Sequence, residues 1–232
     1  MTTFLLVPGA WHGGWVWREV ADLLTTAGHR PLCLTLTGLA DRRHLLSDAV
    51  DLDTHIDDIV EAALFAETDD LVLVAHSYGG VPATGAADRI AERFRALVFL
   101  DATIAENGRS AIDLRNAQTP THPVEVTADV PIPPLPAEVF GLEGVQARRV
   151  DRLLTAQPWA TYTQPISLTG EFESIERKHY VRAFRYEAAY FDASYERAAA
   201  DPSWTTERRD IGHDMMLIDP HWTAQVILAT SC

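Results

Sequence analysis

Cysteine is almost missing: the 232 residues contain two, Cys33 and Cys232. That scarcity excludes a disulfide framework and a cysteine-rich metal site, and it suits a reducing compartment, so the expected location is cytoplasmic. Positive charge is also short. With 19 Lys and Arg against 33 Asp and Glu, the formal net charge is −14, and such a surface repels nucleic-acid phosphates and anionic membranes before contact. An apolar or cationic small molecule is easier to accommodate. The opening stretch Met-Thr-Thr-Phe-Leu-Leu-Val-Pro-Gly-Ala has no basic leader, and its apolar run is too short for a bilayer span or a signal core. It reads as a first strand. No internal repeat is visible.

What is present is a chain 47% apolar, enough for one globular domain over 1–232 with a single well-buried core. Apolar runs of strand length fall at 3–7, 31–36, 71–75, 96–100 and 180–184, with a weaker one at 204–209. Several are apolar at consecutive positions, as strands covered on both faces must be. Helical patterns lie between them at 15–27, 52–67, 81–93, 187–200 and 222–229. The alternation predicts an α/β fold, a mostly parallel sheet with helices on both faces.

The alternation breaks at about 106–176. Prolines gather there (Pro120, Pro123, Pro131, Pro133, Pro134, Pro136, Pro158 and Pro165), with a short helical pattern at 145–155. Such a segment does not extend a sheet, and its length predicts an inserted cap over the carboxyl ends of the strands. The apolar residues Trp159, Tyr162, Leu168 and Phe172 need something to cover.

The run Leu-Val-Leu-Val-Ala-His-Ser-Tyr-Gly-Gly, residues 71–80, takes an apolar strand into a small-residue turn with Ser77 at its apex. A tight strand-to-helix reversal that lifts a hydroxyl above a sheet needs small residues two positions either side, here Ala75 and Gly79. Ser77 is the candidate nucleophile. A serine hydroxyl needs a base within hydrogen-bond reach. Among nine histidines, His213 in Asp-Ile-Gly-His-Asp-Met-Met follows the last strand pattern and falls last in the order serine, acid, histidine. His76 reads as a packing residue, and His179 and His221 have no comparable setting.

Two carboxylates compete to orient the imidazole. Asp101 abuts the 96–100 strand, where backbone position is best fixed, and Glu187 follows the 180–184 strand. Strand-end rigidity favours Asp101, with Glu187 as the alternative. An oxyanion needs two amide donors. Tyr78 follows the nucleophile, and Ala10, with Trp11 as the alternative, lies in the glycine-rich loop after the first strand. His12, Trp159, Tyr162 and Met215 are the candidate substrate contacts.

The set Phe-Leu-Leu-Val-Pro-Gly-Ala-Trp-His-Gly-Gly-Trp-Val-Trp, Leu-Thr-Leu-Thr-Gly-Leu, Ala-His-Ser-Tyr-Gly-Gly and Gly-His-Asp-Met resembles the α/β-hydrolase superfamily. Within it, the chain looks most like the small esterases: plant methylesterases, hydroxynitrile lyases and pyrethroid-type carboxylesterases. The resemblance implies a cofactor-free, metal-free serine hydrolase acting on a small-molecule ester, often as a homodimer. The family commonly places an aspartate in a Cys-Thr-x-Asp pattern after the penultimate strand. Here the sequence is Ala-Phe-Arg-Tyr-Glu, with Tyr186 near that place. Hydroxynitrile lyases carry a threonine in the first-strand loop and a lysine after the histidine, where this chain has Ala10 and Asp214. Without that lysine no cation stabilises departing cyanide. The expectation is hydrolysis of a small hydrophobic carboxylic ester through an acyl-enzyme. The alternatives are a lyase or cyclase step on the same fold, or a ligand-binding protein without turnover.

Overall fold

Period-two alternation within continuously apolar strands divides the core of this chain into two halves. In the computed structural model, which describes residues 1–120 and 124–230, Leu5, Val7, Leu73, Ala75, Leu97 and Phe99 face one side of a sheet. Phe4, Leu6, Val72, Val74, Val98 and Leu100 face the other. The six strands β1 (Thr3–Val7), β2 (Arg30–Cys33), β3 (Leu71–His76), β4 (Phe94–Leu100), β5 (Arg177–Ala183) and β6 (Trp204–Arg209) are all parallel, in the order β2-β1-β3-β4-β5-β6. Parallel pairing requires both faces to be covered. Helices α1 (Arg18–Thr26) and α8 (Pro220–Thr230) cover one face. Helices α2 (Leu52–Leu64), α3 (Gly80–Arg89) and α7 (Ala189–Ala200) cover the other.

The element boundaries depart from the sequence pattern for identifiable reasons. Strand β5 starts three residues before the apolar run because Lys178, buried within it, donates its ammonium to the carbonyls of Glu173 (2.7 Å) and Ile175 (2.8 Å). A charged residue concealed the strand. Strand β2 ends at Cys33, short of the expected 36, and Leu36 continues as a buried loop residue. Its Pro31 is tolerated because β2 is an edge.

Between β4 and β5 the proline-rich segment forms short helices α4 (Ala111–Gln118), α5 (Gly144–Asp151) and α6 (Ala160–Thr163), plus one isolated antiparallel bridge, Ile132 to Gln157. Only α5 was visible as a periodic pattern; α4 and α6 are too short to carry one. Helix α4 has a capping box, with Ser110 and Asp113 each satisfying the other's backbone amide. The Asp88 carboxylate at the end of α3 ties the far side down, accepting from the amides of Thr169 (2.6 Å), Gly170 (2.8 Å) and Phe172 (3.2 Å). Pro123 and Cys232 lie outside the described residues. Among those described, no helix is long and apolar enough to cross a membrane.

Candidate active site

At the end of β3 the chain reverses through a single short turn, Ser77–Gly79, directly into α3. Ser77 takes φ 56°, in the left-handed region that L-residues avoid. Such backbone strain persists only where the surroundings enforce it, and here they do. A side chain at Gly79 would overlap the Pro8 carbonyl oxygen, and one at Gly9 would sit 2.8 Å from the Ser77 Cβ. The first-strand loop therefore presses against the serine turn through two glycines, and the hydroxyl is left projecting.

His213 reaches this hydroxyl from the loop after β6. Its Nε2 lies 2.8 Å from Ser77 Oγ, and its Nδ1 lies 2.6 Å from Asp101 Oδ2. With the carboxylate accepting from Nδ1–H, Nε2 is free to accept the serine proton. Asp101, fully buried at the carboxyl end of β4, also takes a left-handed backbone, φ 47°. Its other oxygen accepts from Arg182 Nη1 (2.8 Å) and the Ala183 amide (3.1 Å). Glu187 is exposed, so of the two competing carboxylates the fold brings only Asp101 to the imidazole. Tyr186, where the family pattern has its acid, instead stacks on the His213 ring at 4.5 Å, and Phe191 stacks at 5.0 Å.

The sequence matches the alpha/beta hydrolase family over residues 4–226. The chain belongs to this family. A carbendazim-hydrolysing esterase of Nocardioides sp. (strain SG-4G) is 37% identical, with 99% of each chain covered. Methylesterase 9 of Arabidopsis thaliana is 35% identical over 43% of this chain and 40% of its own. Two solved structures share the fold: an extracellular alpha/beta-hydrolase from a Paenibacillus species (TM-score 0.81, 18% identity, 99% of both chains) and polyneuridine aldehyde esterase (TM-score 0.81, 17% identity, 100% of both). By these relatives the chain is a carboxylesterase-like alpha/beta hydrolase.

In this hydrolase the loop after β1 carries the candidate oxyanion donors. The Trp11 amide already donates to Gln157 Oε1 (3.2 Å), which leaves Ala10 as the loop residue to pair with Tyr78. The Tyr78 ring is held from two sides. It stacks on Tyr162 at 5.0 Å, and its hydroxyl lies 3.0 Å from His55 Nδ1. His55 Nε2–H donates to the Thr37 carbonyl (2.9 Å), so Nδ1 is the acceptor for Tyr78. Burial pushes His55 down to about 4, which keeps it neutral and able to accept.

Three of the sequence-predicted substrate contacts are elsewhere. His12 is buried and points away from the cavity: its Nδ1–H donates to the Ala10 carbonyl (2.6 Å), and its Nε2 faces Asp214 at 3.3 Å, an ion-pair contact rather than an aligned hydrogen bond. Burial is the largest influence and would lower His12, but the Asp214 charge and contact together with the Ala10 carbonyl outweigh it, and the net shift is upward. Asp214, fully buried, is correspondingly held down by His12 against its own desolvation. Met215 packs in the core on the far face of the sheet. Trp159 is the N-cap of α6, and the helix carries Tyr162, not Trp159, onto Tyr78. Tyr162 does line the cavity.

His76, fully buried, donates Nε2–H to the His213 carbonyl (3.0 Å), and its ring lies 4.4 Å from the His213 ring. Burial, with His213 next to it, drives His76 well down, so it is neutral. His76, His213 and Asp214 bring ligand-type atoms within 4.8 Å of one another. His76 Nε2 is already engaged with a carbonyl, and the His213 ring with Ser77 and Asp101.

The cavity over Ser77 is about 30 Å³, space for about two waters. Its walls are mostly aromatic: Trp11, Tyr78, Phe140, Tyr162, Tyr186 and Phe191. A larger groove of about 1050 Å³ lies elsewhere on the surface and does not include Ser77. An ester therefore fits over Ser77 only once side chains at the mouth move aside.

Arg182 is the functional residue that sequence reasoning missed most plainly. Only the β4–β5 register, which pairs Leu100 with Val181, sets it beside Asp101. Its guanidinium also binds Asp192 (2.8 Å), and these two carboxylates hold it protonated against the cost of burial.

Proposed function

We propose that this alpha/beta hydrolase cleaves small, largely apolar carboxylic esters through an acyl-enzyme on Ser77. The observation that carries the reading is the unbroken hydrogen-bond line Asp101, His213, Ser77, at 2.6 and 2.8 Å, beneath an aromatic cavity. Ser77 Oγ attacks the acyl carbon while His213 Nε2 takes its proton. The amides of Ala10 and Tyr78 hold the oxyanion, and the imidazolium, stabilised by Asp101, returns the proton to the departing alcohol. Water then enters by the same route in reverse, and the Ser77 ester is hydrolysed. A carbamate ester follows the same steps with a carbamoyl-enzyme, so carbendazim, the compound in the name of the Nocardioides relative, belongs in the substrate panel. Asp214 stands where hydroxynitrile lyases carry a lysine, so no cation follows His213 to stabilise departing cyanide, which supports hydrolysis over cyanohydrin cleavage.

The test is turnover of phenyl acetate and carbendazim together with mass spectrometry of the quenched enzyme. Wild type should accumulate a Ser77-bound acyl group, and Ser77→Ala should lose about a thousandfold or more in kcat. Undiminished turnover by Ser77→Ala would refute the nucleophile. Activity on a carbon acid with no acyl adduct from any ester would favour a lyase or cyclase.

A further inference from the structure

The aromatic cavity has a single Lys or Arg side chain in its wall: Arg115, on α4. Arg115 is half-buried, and its guanidinium carbon lies 5.7 Å from the centroid of the Tyr190 ring. No carboxylate among the described residues forms an ion pair with it, unlike Arg109, which pairs with Glu106 at 3.2 Å. Arg115, Tyr186 and Tyr190 line a second cavity as well, a surface cleft of about 310 Å³ whose other walls include Gln118, Thr119 and Glu187. These three side chains thus form the partition between the outside cleft and the chamber holding Ser77. Glu187 shares the cleft without pairing with Arg115.

We infer that the cleft is the approach to Ser77 and that Arg115 is a specificity-determining residue, receiving an anionic group carried by the substrate at the end remote from the scissile bond. A guanidinium held against a tyrosine face has lost part of its hydration and keeps its planar donor fork available. A carboxylate completes it with a paired, charge-assisted contact. The surroundings sharpen the selection. The chain carries a formal charge of −14, so an anion is repelled over most of the surface and docks where a lone cation sits at an entrance. The substrate class is therefore an aromatic ester bearing a carboxylate, the ring lying among the tyrosines and the carboxylate reaching Arg115. This rests on the ester-hydrolysis reading of the same site.

Two esters that differ in charge and little else, 4-acetoxybenzoate and 4-acetoxybenzamide, test it. The ratio of their kcat/KM values, compared between proteins, cancels the difference in leaving group. The ratio should fall by about tenfold or more in Arg115→Gln, recover in part in Arg115→Lys, and fall in wild type as salt is added. A ratio untouched by Arg115→Gln, with both esters slowed alike, would overturn the assignment and leave Arg115 as a prop for Tyr190. Binding of 4-hydroxybenzoate and 4-hydroxybenzamide to Ser77→Ala gives a readout without turnover. Anion-selective binding that disappears with Arg115→Gln sustains the role of Arg115 even if no ester is cleaved. Anion binding indifferent to Arg115 refutes it even if hydrolysis is fast.

Discussion

Arg182 and His213 bind opposite oxygens of one carboxylate: Arg182 Nη1 is 2.8 Å from Asp101 Oδ1, and His213 Nδ1 is 2.6 Å from Asp101 Oδ2. The carboxylate is therefore fixed in rotation before the imidazole reaches it. Arg182→Met should lower kcat on a neutral aryl ester by about tenfold to a hundredfold with little change in KM, because the imidazole is mis-set while the cavity walls remain. The same change leaves Asp101 buried without its cation, at a cost to stability of about 3–5 kcal/mol. Denaturant unfolding and steady-state kinetics on one preparation check both. A rise in KM with kcat intact would show that Arg182 acts on the substrate instead.

Asp101→Asn and Glu187→Gln separate the two carboxylates. Asp101→Asn preserves shape but favours the wrong imidazole tautomer, and kcat should drop by about 10⁴. Glu187 is exposed; its substitution should change turnover of a neutral aryl acetate by less than about threefold. If Glu187→Gln abolishes turnover and Asp101→Asn does not, the assignment is reversed.

His12 and Asp214 should stabilise the fold within a limited pH window. His12 is raised from 6.5, so its contribution is complete below that value and is lost as pH climbs through the higher folded value. Asp214 is lowered from 3.8, so its contribution is complete above 3.8 and is lost as pH falls through the lower folded value. Between these limits both are charged. The unfolding free energy lost in Asp214→Asn should be greatest near pH 5–6, at about 3–5 kcal/mol, and smaller at pH 9. A loss that grows steadily towards pH 9 would contradict a charged pair.

His55 has the opposite sign. Its folded value of about 4 lies below the ordinary 6.5, so the unfolded chain binds the extra proton and stability declines as pH falls from 6.5 towards 4. A shift of that size is on the order of 3 kcal/mol at full protonation. In His55→Asn that part of the pH dependence should vanish, narrowing the gap to wild type on acidification. A gap that stays constant from pH 7 to pH 4 would show that His55 takes up its proton in the folded state as readily as in the unfolded chain.

The parts of this site that were legible in the sequence are those dictated by backbone. The serine turn needs small residues at fixed offsets, the strands need unbroken apolar runs, and chain order places a histidine last. Asp101 was legible only as one of two, since a carboxylate at a strand end carries no mark of which neighbour it faces. Arg182 and His55 were invisible: each earns its place through a partner 81 or 23 residues away, set by sheet register or helix docking. His12 and Met215 misled for the same reason. Both lie within two residues of the cavity lining, but the loop at His12 turns it back onto the Ala10 carbonyl, and Met215 falls on the opposite face of the sheet. Oligomeric assembly leaves no comparable signature along one chain.

A chamber that closes to about 30 Å³ over the serine filters the second reactant as well as the first. With an acyl group on Ser77, water can reach it past the walls as they stand, whereas an alcohol the size of phenol leaves, and by reversal enters, only while those side chains are displaced. The partition between hydrolysis and alcoholysis then follows the girth of the alcohol more closely than its nucleophilicity.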